Sequence, residues 1–115
     1  MKLKSILLTT LVLASTAAWA EPSHRAFVTN EKDNTVSVID TKTNEVINTI
    51  NIGERPRGIG LSPDQKQLYV AISEEGAIAV VNLDTLEVVK KLDAGDDPET
   101  FDVAPNGNIY ISNED

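Results

Sequence analysis

The chain has 115 residues, which is enough for at most one small domain. Acidic residues number 18 against 10 basic ones, and a net charge of −8 argues against nucleic acid or an anionic membrane surface as a partner. There is no cysteine, so disulfides are excluded, and stability must come from packing or from further protein.

The first twenty residues have the pattern of a Sec-type signal peptide. Lys2 and Lys4 provide a positive start, an uncharged stretch follows over 5–20, and its end Ala18-Trp19-Ala20 is a small-x-small cleavage motif. A membrane anchor is the alternative, but the stretch falls short of the roughly 20 apolar residues that cross a bilayer. We therefore predict cleavage after Ala20 and a periplasmic or secreted mature chain, 21–115, without a membrane anchor.

The rest of the chain predicts β-strands, because its apolar residues alternate or form short β-branched runs between turn residues such as Asn106-Gly107. No segment of it carries a helical stripe. In chain order, the predicted strands are 26–30, 35–40, 46–52, 57–61, 67–72, 77–83, 87–93, 100–104 and 109–112.

Landmark residues recur at an offset of about 42 along the chain, which indicates an internal repeat. The matched sets are Phe27, Tyr69 and Tyr110; Gly53 and Gly95; Pro56 and Pro98; Leu61 and Val103; and Pro63 and Pro105. Four short strands in roughly 42 residues is the length of a β-propeller blade, whose strands we letter A to D from the inside outward.

The predicted fold is thus all-β, a β-propeller fragment of about two and a quarter four-stranded antiparallel blades. Strands B, C and D of a first blade occupy 26–52, a full blade occupies 57–93, and strands A and B of a third occupy 99–112. Because known propellers close with roughly 4–8 blades, we expect an N-terminal part of a longer protein. Its later residues could supply the first blade's inner strand. A short protein that builds its ring from several chains is the alternative.

The stretch AFVTNEKDNTVSVIDTKTNEVINTINIGERPRGIGLSPDQKQLYVA resembles the YVTN-type β-propeller repeat, named for the strand written here as Phe27-Val28-Thr29-Asn30. The second repeat, GDDPETFDVAPNGNIYISNED, is similar to exported propellers associated with pyrroloquinoline-quinone-dependent catabolism. The resemblance covers nearly the whole mature chain. Asn82 departs from the pattern, which usually has Asp there.

This resemblance implies a periplasmic, seven-bladed propeller that is encoded with quinoprotein dehydrogenases and has an uncertain biochemical role. It does not imply that this chain holds the quinone, since quinoprotein dehydrogenases use tryptophan-rich repeats and the one tryptophan, Trp19, lies in the predicted signal peptide. We expect no cofactor in this chain, and the sequence leaves open whether the full-length protein holds one. A periplasmic cytochrome c or the quinoprotein dehydrogenase is the expected partner.

Propeller geometry places the B–C and D–A connections on one face of the ring, and in this sequence carboxylates outnumber basic residues there. Such a face could steer a cationic protein, although polar turns on an acidic protein would look the same. The candidate binding residues are Arg55, Arg57, Asp96, Asp97, Glu99 and Glu114.

Other kinds of site have weaker support in the sequence. The segment 93–99 offers oxygen ligands for calcium but lacks the spacing of a known calcium loop. Arg55 and Arg57 could clamp an anion, and His24 lies in the segment before the first strand. We expect no metal site and assign no catalytic residue.

The preferred function is therefore a non-catalytic binding or scaffold protein, accessory to alcohol or aldehyde oxidation. A propeller enzyme of lactonase or lyase type, with catalytic residues in further blades, is an alternative. A cell-surface repeat protein is another.

Overall fold

The computed structural model describes residues 23–114, so the predicted signal peptide and Asp115 lie outside the described part. Nine β-strands and one short 3₁₀ turn, Ser73–Glu75, follow one another along this range. The strands are β1 (Arg25–Asn30), β2 (Thr35–Asp40), β3 (Glu45–Asn51), β4 (Pro56–Leu61), β5 (Gln67–Ile72), β6 (Ala77–Asn82), β7 (Glu87–Asp93), β8 (Pro98–Val103) and β9 (Ile109–Asn113).

The strands form three antiparallel sheets in which each strand pairs with its neighbour in sequence. The first sheet has the order β1-β2-β3, the second β4-β5-β6-β7, and the third β8-β9. Short strands thus alternate with tight connections. Residues in these turns, such as Asn34 and Asn44, adopt positive φ. The all-β prediction is confirmed.

The first two sheets follow the same register one repeat apart. Arg25 pairs with Asp40 as Gln67 pairs with Asn82, and the register shifts between Val38 and Ile39 as it does between Val80 and Val81. Within residues 23–114, the first sheet therefore corresponds to strands β5, β6 and β7 of the second sheet and has no counterpart of β4.

The main core lies between the first and second sheets and consists of aliphatic side chains from both. Its fully buried members include Val36, Val38, Leu68, Val70 and Val81, each at most 1% exposed. Alternate residues of each strand point into this core, as expected for a sheet that packs on one face against its neighbour.

A smaller core lies between the second and third sheets. Ala71, Ile78 and Ala94 are buried there, with Tyr69 and Phe101 packed against them. The outer face of the third sheet is open, and Tyr110 on β9 is 64% exposed.

Inner strands β4 and β8 approach each other closely at this second junction because β4 carries two glycines. A Cβ atom added to Gly58 would lie 2.8 Å from the backbone oxygen of Glu99, and one added to Gly60 would lie 3.1 Å from the ring of Phe101. The absence of side chains on Gly58 and Gly60 therefore lets Phe101 rest on the backbone of β4.

Candidate functional site

The candidate site is the end of the molecule at which the β1–β2, β3–β4, β5–β6 and β7–β8 connections meet, together with the residue after β9. We call it the loop face. Backbone hydrogen bonds hold these connections together: Ser73 N donates to Arg55 O at 3.0 Å, and Glu114 N donates to Asp97 O at 3.0 Å. The six candidate residues Arg55, Arg57, Asp96, Asp97, Glu99 and Glu114 all lie at or beside these connections.

Arg55 joins the first and second sheets across the loop face. Its Nε lies 2.9 Å from Glu31 Oε1, and its Nη1 lies 3.3 Å from Glu74 Oε1. The backbone fixes the position of this side chain, because Arg55 adopts φ 60° and its N–H donates to Asn34 Oδ1 at 3.0 Å. One guanidinium therefore binds a carboxylate from the B–C connection of each of two neighbouring sheets.

Arg57 joins the second and third sheets in the same manner. Its Nη2 lies 2.6 Å from Glu99 Oε1, and its Nη1 lies 2.8 Å from Glu114 Oε2. Arg57 and Glu99 occupy equivalent positions of the inner strands β4 and β8, 42 residues apart. The side chain of Arg57 is also less exposed than that of Arg55, at 20% against 38%.

Glu75 is a further carboxylate that organises the loop face. It pairs with Lys91 of β7, and its Oε2 accepts the backbone N–H of Glu54 at 2.9 Å. The 3₁₀ turn that carries it ends at Gly76, which has φ 59°. This turn also holds the buried Ser73, whose hydroxyl donates to Pro98 O at 2.9 Å and so ties the second sheet to the third.

Four members of these ion pairs have pKa values shifted in the direction that favours charge, namely Glu31, Glu75, Arg55 and Arg57. The hydrogen bond from Arg55 lowers the pKa of Glu31 below its ordinary value of 4.5, and the hydrogen bond from Lys91 does the same for Glu75. The hydrogen bond to Glu114 raises the pKa of Arg57, and the one to Glu31 raises the pKa of Arg55. The four groups with shifted pKa values are therefore charged at neutral pH.

An open polar cleft of about 320 Å³ lies between the β5–β6 and β7–β8 connections on the loop face. It is lined by Ser73, Glu74, Glu75, Gly76, Asp96 and Asp97. The Oδ1 atom of Asp97 is enclosed and has no hydrogen-bond partner in the described part of the chain. Asp97 takes the place in its repeat that Arg55 has one repeat earlier. Over residues 23–114 no group of three or more His, Cys, Asp or Glu side chains is arranged to hold a metal ion.

Sequence reasoning grouped Arg55 and Arg57 with carboxylates but did not find their partners or the roles of Ser73, Asn34 and Lys91. The partner Glu99 could have been found from the 42-residue offset, because equivalent residues of adjacent inner strands lie side by side. The Ser73 hydrogen bond had no such signal, since the equivalent position in the first sheet is Glu31. Nothing in residues 23–114 forms a helix long and apolar enough to span a bilayer.

The consecutive antiparallel sheets share one register and pack face to face, and the chain passes from each sheet into the first strand of the next. This arrangement defines a β-propeller, as predicted. The chain belongs to the YNCE-like β-propeller family, whose pattern it matches over residues 3–114. A curated relative, the uncharacterized protein YncE of Salmonella typhi, is 38% identical over 63 residues, 54% of this chain. That match covers 18% of the relative, so this chain spans only a part of its length.

Two solved structures show the same fold. Kuenenia stuttgartiensis hydrazine synthase superposes with a TM-score of 0.73 at 24% identity, over 78% of this chain and 26% of that one. The dihydro-heme d1 dehydrogenase NirN in complex with DHE superposes with a TM-score of 0.68 at 25% identity, over 83% of this chain and 21% of that one.

Proposed function

We propose that this chain is part of an exported, periplasmic β-propeller that acts by binding a cationic protein on its loop face. The single observation that supports the proposal is that Arg55 and Arg57 are both already paired with carboxylates. Each guanidinium is engaged by two glutamates, Arg55 by Glu31 and Glu74, and Arg57 by Glu99 and Glu114. Neither is therefore available to clamp an anionic ligand.

What remains for a partner is a surface on which exposed carboxylates such as Asp33, Glu54 and Asp96 outnumber the exposed Lys32. Asp33 and Asp96 are exposed on the loop face and make no ion pair within the described residues. Clustered like charges raise the local potential and speed the association of an oppositely charged protein, with a strong dependence on ionic strength. A basic surface on the partner is the chemistry that such a face would recognise.

The proposed partner is a basic periplasmic cytochrome c or a quinoprotein dehydrogenase, and the proposed setting is quinone-linked alcohol or aldehyde oxidation. The resemblance of 95–115 to propellers associated with quinone-dependent catabolism supports this setting. One similar structure is that of the dihydro-heme d1 dehydrogenase NirN in complex with DHE, which supports a redox context for the fold. The propeller itself serves as a scaffold in this proposal and has no catalytic role.

Titration with a basic cytochrome c at increasing salt concentration tests the proposal. We expect binding that weakens steeply with salt, because exposed charges are screened within about 8–10 Å at physiological ionic strength. The double variant Asp33→Asn/Asp96→Asn should bind more weakly. Its matched control changes Asp84 and Asp64, exposed carboxylates on the opposite loops, to asparagine, and should bind as the unmodified chain does.

Association that is insensitive to salt, or equally weakened by both double variants, would count against the loop face as the binding surface. Capture from periplasmic extract with the full-length protein addresses the partner. Recovery of neither a cytochrome nor a quinoprotein would count against the proposed setting.

A further inference from the structure

The turn between β8 and β9 contains an asparagine that is followed by a glycine. Asn106 and Gly107 are both exposed, and a Cβ atom added to Gly107 would meet no atom beyond its chain neighbours within 4 Å. The sequence has nine asparagines, and Asn106 alone precedes a glycine. Because glycine has no side chain, its backbone nitrogen can approach the preceding side chain without hindrance. This turn therefore combines an accessible side-chain amide with an uncrowded backbone amide.

The same turn one repeat earlier shows that a carboxylate fits at this position. Asp64 is the counterpart of Asn106 at the 42-residue offset of the repeat. The Oδ1 of Asp64 accepts the backbone N–H of Lys66 at 3.0 Å, and the Oδ1 of Asn106 accepts the backbone N–H of Asn108 at 3.0 Å. An aspartate at residue 106 would therefore keep the hydrogen bond that closes the turn.

One hydrogen bond opposes a reaction between the two residues. The N–H of Gly107 donates to Ala104 O at 2.9 Å, which holds the nitrogen in the turn. This bond lies in an exposed turn, and within residues 23–114 the sheet that carries it has two strands. Exposed turns with few buried contacts open at a low cost in free energy. The nitrogen of Gly107 is therefore released by local opening and does not require the whole chain to unfold.

We propose that Asn106 is a site of spontaneous deamidation and that the hydrogen bond between Gly107 and Ala104 limits its rate. In the open turn, the backbone nitrogen of Gly107 gives its proton to a water or hydroxide base and attacks Cγ of Asn106. The bond between Cγ and Nδ2 breaks, a succinimide ring closes, and Nδ2 leaves as ammonia. Water then opens the ring at either carbonyl and yields aspartate or isoaspartate. The net reaction consumes one water, releases one ammonia and involves no oxidation or reduction.

The modification would place a second carboxylate at a cavity on the face opposite the loop face. This cavity of about 270 Å³ lies between the β4–β5 and β8–β9 turns, and Asp64, Tyr69 and Asn106 are among the residues that line it. The isoaspartate product also inserts a methylene group into the backbone of the turn. Deamidated chains are therefore more acidic, and the isoaspartate form has an altered β8–β9 turn.

Incubation of the chain in mildly alkaline buffer, followed by mass spectrometry of the tryptic fragment 92–115, tests the proposal. This fragment contains the asparagines Asn106, Asn108 and Asn113, which tandem spectra distinguish. We expect Asn106 to convert at least about tenfold faster than Asn108, because Asn108 is followed by the β-branched Ile109 and Asn106 by a glycine. Equal rates at Asn106 and Asn108, or an unchanged Asn106, would overturn the proposal.

Two variants and one change of conditions complete the test. Gly107→Ala should slow the conversion of Asn106 several times, because its methyl group crowds the backbone nitrogen. The φ of 90° at this residue would strain an alanine in the folded turn, so this comparison is made in urea. The control Asn108→Gln should leave the rate at Asn106 unchanged.

The unmodified chain should convert several times faster in urea than in its folded state, because urea removes the hydrogen bond from Gly107 to Ala104. An equal or slower rate in urea would overturn the proposal. A Gly107→Ala chain that converts as fast as the unmodified chain would overturn it as well.

Discussion

The two sheet junctions pack in different ways. The first junction lies between the first and second sheets, and the second junction lies between the second and third sheets. The first junction buries branched aliphatic side chains such as Val38, Leu68 and Val70. The second buries the small Ala71 and Ala94 and brings two backbones together at Gly58 and Gly60. One repeat therefore supports two kinds of contact, side chain against side chain and ring against backbone.

The polar ends of the two junctions are alike. Each is closed on the loop face by one arginine between two glutamates, Arg55 at the first and Arg57 at the second. The comparison suggests that apolar burial determines how much each junction stabilises the fold, whereas the arginines adjust it by a smaller amount. Four predictions separate these contributions.

The largest effect should come from emptying the core of the first junction. Leu68 is 1% exposed, and Leu68→Ala should lower the free energy of unfolding by about 2–5 kcal/mol, measured by urea denaturation. The control Val89→Ala removes a side chain that is 52% exposed and should change it by about 0.5 kcal/mol or less. Similar losses for the two variants would show that this core is not the main source of stability.

The second effect should come from crowding the inner strands of the second junction. Gly58→Ala places a methyl group 2.8 Å from the backbone oxygen of Glu99 and should cost about 1–3 kcal/mol in the same measurement. Gly60→Ala meets the ring of Phe101 instead, which can move, and should cost less. Adding Phe101→Leu should relieve Gly60→Ala and leave Gly58→Ala unrelieved, whereas equal relief of both would contradict this account.

The third effect depends on pH. Because the pKa of Glu75 is lowered in the folded chain, its contribution is present at neutral pH and is lost as the pH falls through and below its ordinary value of 4.5. Thermal unfolding followed from pH 7 to pH 3 should therefore show a smaller decrease in Tm for Glu75→Gln than for the unmodified chain. Parallel pH profiles for the two proteins would exclude a role for the Lys91 pair.

The smallest effect should come from the arginines. Arg57→Gln should lower the urea midpoint by less than Leu68→Ala does, because partly exposed ion pairs contribute little. Arg55→Gln should have a still smaller effect, since Arg55 is the more exposed of the two. High salt should reduce the difference between Arg57→Gln and the unmodified chain, and a salt-independent difference would indicate lost packing instead of lost charge.

The repeat made it possible to predict the fold from the sequence. The predicted strands 35–40, 67–72 and 87–93 have the same bounds in the structure, and the others differ by one or two residues, because alternation and turn residues are local signals. The bulges after Val38 and Val80 and the 3₁₀ turn at Ser73 were not predicted, since they depend on contacts between strands that no local pattern records.

The loop face could be predicted only in part from the sequence. Loop topology predicted that the B–C and D–A connections lie at the same end, and the structure joins Arg55 there to Glu31 and Glu74. Which carboxylate each guanidinium binds depends on side-chain reach across a junction, and the sequence contains no pattern for that. The enclosed Oδ1 of Asp97 also depends on how neighbouring loops close over it.

The ion pair between Arg57 and Glu99 spans one whole repeat, from a position to its own counterpart. Two identical tandem copies would set two cations or two anions side by side at this place, and like charges repel. A gene duplication alone could not produce this contact. The contact requires residues 57 and 99 to differ, so neighbouring units are distinguishable in the order in which they stack.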